Sequence, residues 1–420
     1  MYIMLNRKKG DKMNDLKKKY ASVLLKSCLK VEKEPLFISF NAERLDFVRI
    51  VAEVAYSMGV TDIYFDIVEP YLKHDALKNL SVEDCKKLTL WNRSKWNEYA
   101  RKGASFLMLA SETPGLMADI DPNKIKELVK YSNETRKEFE EMRDKSLVPW
   151  CIAAVPTISW AKTLFPESAS PLDDLWMKIF EICEITKDNP EDIWNRKIEV
   201  LDGMAKKLNY YQFKTLKYKN SLGTDFEIGL PINHIWASGR EQLKSKREVL
   251  CNFPTEEVFT SPDYRTANGI VYASKPLSYQ DNIIENFSVI FENGKVVEAH
   301  AEKGEQILKA LINTCRNMDY LGEVALVEYD SAISKSGMVF LETLFDENAA
   351  CHIALGDSFP ECIKDGPTTD KDELYKLGLN KCDNHVDFMI GTKDLSIIGI
   401  THDNKEIKIF ENGNFTSEFK

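Results

Sequence analysis

No CxxC pair occurs in the 420 residues, although the chain holds nine cysteines. They stand singly, at positions 28, 85, 151, 183, 251, 315, 351, 362 and 382. That spacing argues against a structural zinc ribbon and a thioredoxin-type motif. An odd number of unpatterned cysteines in a long chain reads as reduced thiols of a cytoplasmic protein, most of them acting as small buried apolar residues. A long apolar run is missing too. The opening stretch to Tyr20 is basic, and Lys26, Lys30 and Glu32 interrupt the next segment, so neither a signal peptide nor a membrane span is expected.

Basic excess is absent as well. There are 56 Lys and Arg against 66 Asp and Glu, a formal net charge of -10. A nucleic-acid partner is not expected, because phosphate neutralisation needs a basic surface. No Walker A loop and no G-x-G-x-x-G occur, which sets nucleotide enzymes aside. No G-x-S-x-G elbow occurs, which disfavours a serine hydrolase. Cys351 stands beside His352, but adjacency in sequence does not create a catalytic dyad. No internal repeat or low-complexity tract is evident.

What is present is a two-domain chain, by length and by texture. PLFISF (35–40) reads as a buried strand, and TDIYFDIV (61–68), SFLMLA (105–110) and VPWCIAAVP (148–156) read as three further strands. Helical patterns lie between them. Asn41 is placed to cap a helix over 43–58, with Gly59 as its stop, and Asp121 to cap one over 121–144 with Pro122 in its first turn. Strands alternating with helices predict a parallel sheet covered on both faces. From Gln212 the texture changes to alternating apolar and polar residues, with hairpin turns at Asn293-Gly294 and Asn412-Gly413 and a helix near 303–316. The expected architecture is an α/β N-terminal domain with a parallel sheet, residues 1–214. An α+β C-terminal catalytic domain rich in antiparallel strands comes after it, residues 215–420.

The residues able to do chemistry gather in that second half. His385 and Asp387 stand two apart in DNHVDFMIG, so in a strand they project from one face. A buried imidazole beside a buried carboxylate needs a partner, either a metal ion or simply each other. His352 follows the acidic Asp346 and Glu347, whose local reading is a helix cap by Asp346 or Asn348. Glu323 interrupts the apolar run LGEVALV, where a carboxylate is costly unless paired, metal-bound or at an edge. Glu256 and Glu257 adjoin in NFPTEEVF. Such a pair is either an acidic turn or a metal ligand next to a proton acceptor. Three carboxylates (Glu257, Glu323, Asp387) and two imidazoles (His352, His385) suit zinc, cobalt or manganese better than calcium or an iron–sulfur cluster.

NFPTEEVFTSP, GIVYASKPLSYQDNII, LGEVALV, TLFDENAACHIALG and NHVDFMIG, in this order, resemble the aminopeptidase T/S family of thermophilic-type metalloaminopeptidases. The segments at 150–167 and 220–236 match it too, so the resemblance spans nearly everything beyond the first thirty residues. It implies a homodimer that removes N-terminal amino acids from peptides with two divalent ions, zinc or cobalt foremost, with magnesium or manganese as alternatives. Carried over position by position, the ligands fall on Glu257, Glu323, His352, His385 and Asp387. Glu256, beside a ligand, is the candidate general base. One position departs. The family's HIALGxAY motif ends in tyrosine, whereas HIALGDSF here ends in Phe359. A phenol there would donate a hydrogen bond to developing negative charge, and losing such a donor costs roughly 100-fold in rate. That leaves a slower peptidase, a substitute donor such as His234 or Tyr264, or a metal-binding dimer without activity.

Overall fold

The computed structural model describes residues 2–279 and 282–420. The chain divides into two compact units. The first holds residues 1–196 together with 240–254, and the second holds 197–239 and 255–420. The division therefore falls inside the helix Pro190–Tyr211, while the antiparallel strands begin at Thr215.

The first unit is built on a five-stranded parallel sheet. Its spatial order is Asn252–Phe253, Trp150–Ala154, Ser105–Ala110, Leu36–Asn41 and Ile63–Val68. Four of these strands are those the apolar runs predict. The fifth, at 252–253, has only two residues and carries no periodic pattern to betray it. Helices occupy the segments between the strands. Asn41 caps as expected, accepting from the Glu43 amide, though the first turn is a 3-10 turn before the helix Leu45–Ser57. The helix expected over 121–144 is broken into Pro122–Thr135 and Lys137–Asp144, and the helical segment between the strands at 63–68 and 105–110 consists of two helices, Pro70–Asn79 and Val82–Arg101. Ser81 begins the latter by accepting from the Asp84 amide. The sheet's faces are closed by apolar residues, with Phe37, Trp96, Phe106 and Phe139 packed together.

The second unit contains two larger antiparallel sheets. One has nine strands, including the hairpin Asn282–Glu292 with Lys295–Lys303 and the hairpin Glu406–Glu411 with Asn414–Phe415. Asn293-Gly294 and Asn412-Gly413 form the turns, all four residues with positive φ, the backbone that two-residue hairpins require. The other sheet has five strands in the order His385–Met389, His352–Gly356, Leu321–Val327, Glu257–Thr260 and Ala237–Ser238. Every candidate ligand lies on this sheet.

Candidate metal centre

Register places the five side chains on one face. Glu323 lies opposite Ala354, and Ala354 opposite Asp387, so the two carboxylates flank a methyl group in one row. His352 lies opposite Ala325, two residues from Glu323, and Glu257 opposite Val327, four residues from Glu323. His385 lies two residues before Asp387. Opposite residues share a face, as do residues two apart, so Glu257, Glu323, His352, His385 and Asp387 all project the same way. Ala325 and Ala354 leave room between them. The strand bulges between Leu321 and Glu323. A Cβ on Gly322 would stand 2.0 Å from the Asp357 carbonyl oxygen, so only glycine allows the close approach that brings Glu323 into this row.

Two triads result, Glu257–Glu323–His352 and Glu323–His385–Asp387, each with ligand atoms within 4.8 Å of one another. Glu323 belongs to both. His352 Nε2 is 3.2 Å from Glu257 Oε2. His385 Nε2 is 3.0 Å from Glu323 Oε2 and 3.2 Å from Asp387 Oδ1. In each imidazole Nδ1 faces a backbone carbonyl, Ala350 at 3.1 Å for His352 and Asp357 at 2.8 Å for His385. Donation from Nδ1–H fixes the tautomer and the ring plane and leaves both Nε2 atoms aimed at the carboxylates, the disposition of metal-binding histidines.

The electrostatics of the face are unbalanced. Burial pushes the Glu323 carboxyl up to about 7, against the His385 hydrogen bond and helped by the Asp387 and Glu257 charges. Burial opposes charging of His352, yet the Glu257 hydrogen bond and the surrounding carboxylates carry it up to about 10. His385 is likewise raised despite burial, chiefly by Asp387, while His385 holds Asp387 down against its burial. Among the described residues no lysine or arginine pairs with any of the three carboxylates. Buried carboxylates without a fixed cation, beside imidazoles whose Nε2 atoms point among them, fit a divalent metal ion by charge and by donor type.

A further carboxyl joins them. Glu347, at the end of the short helix Thr343–Glu347, is pushed well above the usual carboxylate range by burial and by the charges of Glu257, Asp387 and Glu323. It lines a pocket with Asp387, Met389, Asp346 and Leu277. The sequence reads Asp346 or Asn348 as the cap of that helix, but Glu342 supplies it, accepting from the Phe345 amide. Asp346 instead accepts from the Phe340 amide at 2.7 Å. Glu347 lies within the electrostatic reach of Glu257, Asp387, His352 and Glu323. An acidic residue beside a metal-type histidine is the only sequence signal for it.

The other named positions separate. Glu256 stands outside both triads, with its Oε1 accepting from Lys197 Nζ at 3.1 Å and its amide bound to Asn348 Oδ1 at 2.6 Å. Phe359 reaches the centre, its ring centroid 4.9 Å from that of His385 and 5.6 Å from that of Phe259. Tyr264 stacks on Tyr375 at 4.7 Å and shares its hydroxyl with that ring's. His234 is buried, with Nδ1 donating to the Pro231 carbonyl at 2.9 Å and Nε2 without a hydrogen-bond partner among the described residues.

The model of the thermophilic metalloprotease family matches residues 13–415. Aminopeptidase AmpS of Bacillus subtilis is 36% identical over 94% of this chain and 97% of its own length. Aminopeptidase 2 of Geobacillus stearothermophilus is 36% identical over 95% of this chain and 97% of its own. The structure of wild-type AmpT from Thermus thermophilus superposes with a TM-score of 0.88 at 32% identity, covering 96% of this chain and 99% of that one. The α/β and antiparallel architecture expected from the sequence is therefore that of a solved relative. By family model, by full-length identity and by fold, the chain belongs to the thermophilic metalloproteases of family M29, a family of peptide hydrolases that use divalent metal.

Proposed function

We propose that the protein is an aminopeptidase that releases N-terminal amino acids from peptides with a centre of two divalent ions. The observation that carries the two-ion reading is the sharing of Glu323 by two triads, which supplies two adjacent ligand sets with a common carboxylate. Glu257 and His352 would hold one ion, His385 and Asp387 the other, and Glu323 both. Divalent ions at such a centre supply Lewis acidity, polarising a peptide carbonyl and acidifying water. The chain's own groups do the rest. The backbone carbonyls of Ala350 and Asp357 keep the imidazoles oriented. Phe259 and Phe359 wall the group with apolar surface. The acidic pocket of Asp387 and Glu347 suits a free α-ammonium group, which accounts for cleavage at the chain end rather than within it. The catalytic assignment covers residues 215–420, within a cytoplasmic homodimer.

Glu256 is proposed as the proton acceptor, with Lys197 holding its carboxylate. A second assignment is favoured by placement: Glu347 lies within electrostatic reach of the ligand group and lines the pocket. A weakened or inactive metal-binding dimer is the competing reading of the whole chain, motivated by Phe359 against His385.

The test is hydrolysis of aminoacyl-p-nitroanilides with added zinc, cobalt, manganese or magnesium, alongside metal content by elemental analysis. Two equivalents of metal per chain and metal-dependent release are expected. Full activity at one equivalent would remove the two-ion centre. No release with any amino acid and any metal would leave the inactive dimer.

A further inference from the structure

Cys315 and Cys382 stand apart from the other thiols. Their Sγ atoms are 3.1 Å apart, closer than two sulfurs in ordinary van der Waals contact, and both residues are partly exposed. Six of the remaining seven cysteines are buried, and Cys251, the other partly exposed one, contacts Glu241. Cys315 follows the helix Glu305–Ile312, and Cys382 lies in the loop before the strand His385–Met389. The two backbones are already tied together beside the pair. Asn317 Nδ2 donates to the Lys381 carbonyl at 3.0 Å, and Asn380 Nδ2 donates to the Asn317 carbonyl at 2.9 Å. A bonded distance of ~2.05 Å is about 1 Å shorter than the present 3.1 Å separation.

We infer that Cys315 and Cys382 form a reversible thiol–disulfide site, oxidised by peroxides and reduced by small thiols. The contact with Cys315, and then burial, push the Cys382 thiol up. A peroxide takes an electron pair from the Cys315 thiolate, giving a sulfenic acid and hydroxide. The Cys382 sulfur then attacks the Cys315 sulfur. A sulfur–sulfur bond forms, the sulfur–oxygen bond breaks, and the departing oxygen leaves as water with the Cys382 proton. Two thiols lose two hydrogens and one hydrogen peroxide becomes two waters.

Closing the pair braces the loop that leads into His385. The Cys382 amide donates to Asp357 Oδ1 at 3.0 Å, and the Asp357 carbonyl accepts from His385 Nδ1 at 2.8 Å. The disulfide thus fastens the loop whose far end sets the His385 ring, and it does so whether or not the peptidase reading holds.

The experiment treats the metal-loaded, full-length protein with graded hydrogen peroxide. Free thiols are counted, unreduced digests are mapped by mass spectrometry, and amide hydrogen exchange is followed over 380–384. The expected result is a Cys315–Cys382 cross-linked peptide, lighter by two hydrogen atoms than its halves and restored by a phosphine reductant, with slower exchange in that loop. In Cys382→Ser, a sulfenic acid at Cys315 is expected to persist and be trapped by dimedone. The wild-type map decides the matter even if that variant folds poorly. Oxidation of Cys315 to a sulfinic acid without a cross-link, or a cross-link confined to other thiols such as Cys28 and Cys151, would overturn the inference.

Discussion

Glu323 Oε2 lies 3.0 Å from His385 Nε2, and the same carboxyl group completes the triad of Glu257 and His352. One side chain on a central strand is thus common to both halves of the ligand group. It is buried, and no lysine or arginine among the described residues answers its charge.

Replacing Glu323 should therefore disturb both halves together. Glu323→Gln is expected to lower metal affinity and kcat/KM by at least ~100-fold, the upper range found even for residues that only support metal ligands. Titration with elemental analysis at each step should show less than one tightly held equivalent. Retention of one full equivalent would mean that the halves bind independently of Glu323.

Metal should also stabilise the fold. Ligand binding to the native state alone contributes about 2.7 kcal/mol at a hundredfold excess over Kd. Chelation is expected to lower Tm by several degrees, and readdition of metal to restore it. Calorimetry of Glu323→Gln should show a much smaller difference with and without the chelator. An equal shift in the variant would place the stabilising metal elsewhere.

Phe359 packs on His385, at the position where the sequence resemblance implies a tyrosine. Phe359→Tyr is expected to raise kcat by up to ~100-fold, the size of one preorganised donor, with KM little changed. An unchanged kcat would show that another group already provides the donor.

Glu256 and Glu347 are separated by their neighbours. If Glu256 takes the proton, Glu256→Gln should lower kcat by ~100-fold or more at unchanged metal content. Full turnover in that variant, with a loss of this size in Glu347→Gln, would transfer the role to Glu347. Metal analysis must accompany both, since a loss of metal in Glu347→Gln would identify a ligand instead.

His234 makes the fold acid-sensitive. Burial holds its imidazole down at about 4, from an ordinary 6.5. A histidine with a lowered folded value binds fewer protons than the unfolded chain between these limits. Its contribution is fully present above the unfolded value and is lost as pH falls through 6.5 towards 4, by about 3 kcal/mol. Wild type should lose more stability than His234→Gln between pH 7 and pH 4.5 in parallel thermal melts. Parallel curves would show that His234 does not titrate differently on unfolding.

Much of the fold was readable locally. The strands at 36–41, 105–110 and 150–154 are near-continuous apolar runs, because strands buried on both faces need no polar alternation. The strand at 63–68 lies at the edge of the sheet, is largely exposed and carries Asp66. Asn293-Gly294 and Asn412-Gly413 announced their hairpins because few residues tolerate positive φ. His385 and Asp387 were visible as one face of one strand because the spacing of two is an intrinsic property of extended chain. The helix boundaries near 80 and 136 were not visible, since the apolar pattern runs through them while the backbone breaks.

The sequence by itself determined the donor types, the strand–helix alternation and the family, all of which rest on residue identity and short-range geometry. Tertiary structure alone decided that Glu323, Ala354 and Asp387 form one row, that Glu347 lies within electrostatic reach of the ligand group, that Lys197 meets Glu256, and that Cys315 meets Cys382. Each of these depends on pairing between segments far apart in the chain. Register across strands is set by which faces are buried together, and no local pattern records which distant partner a strand will find.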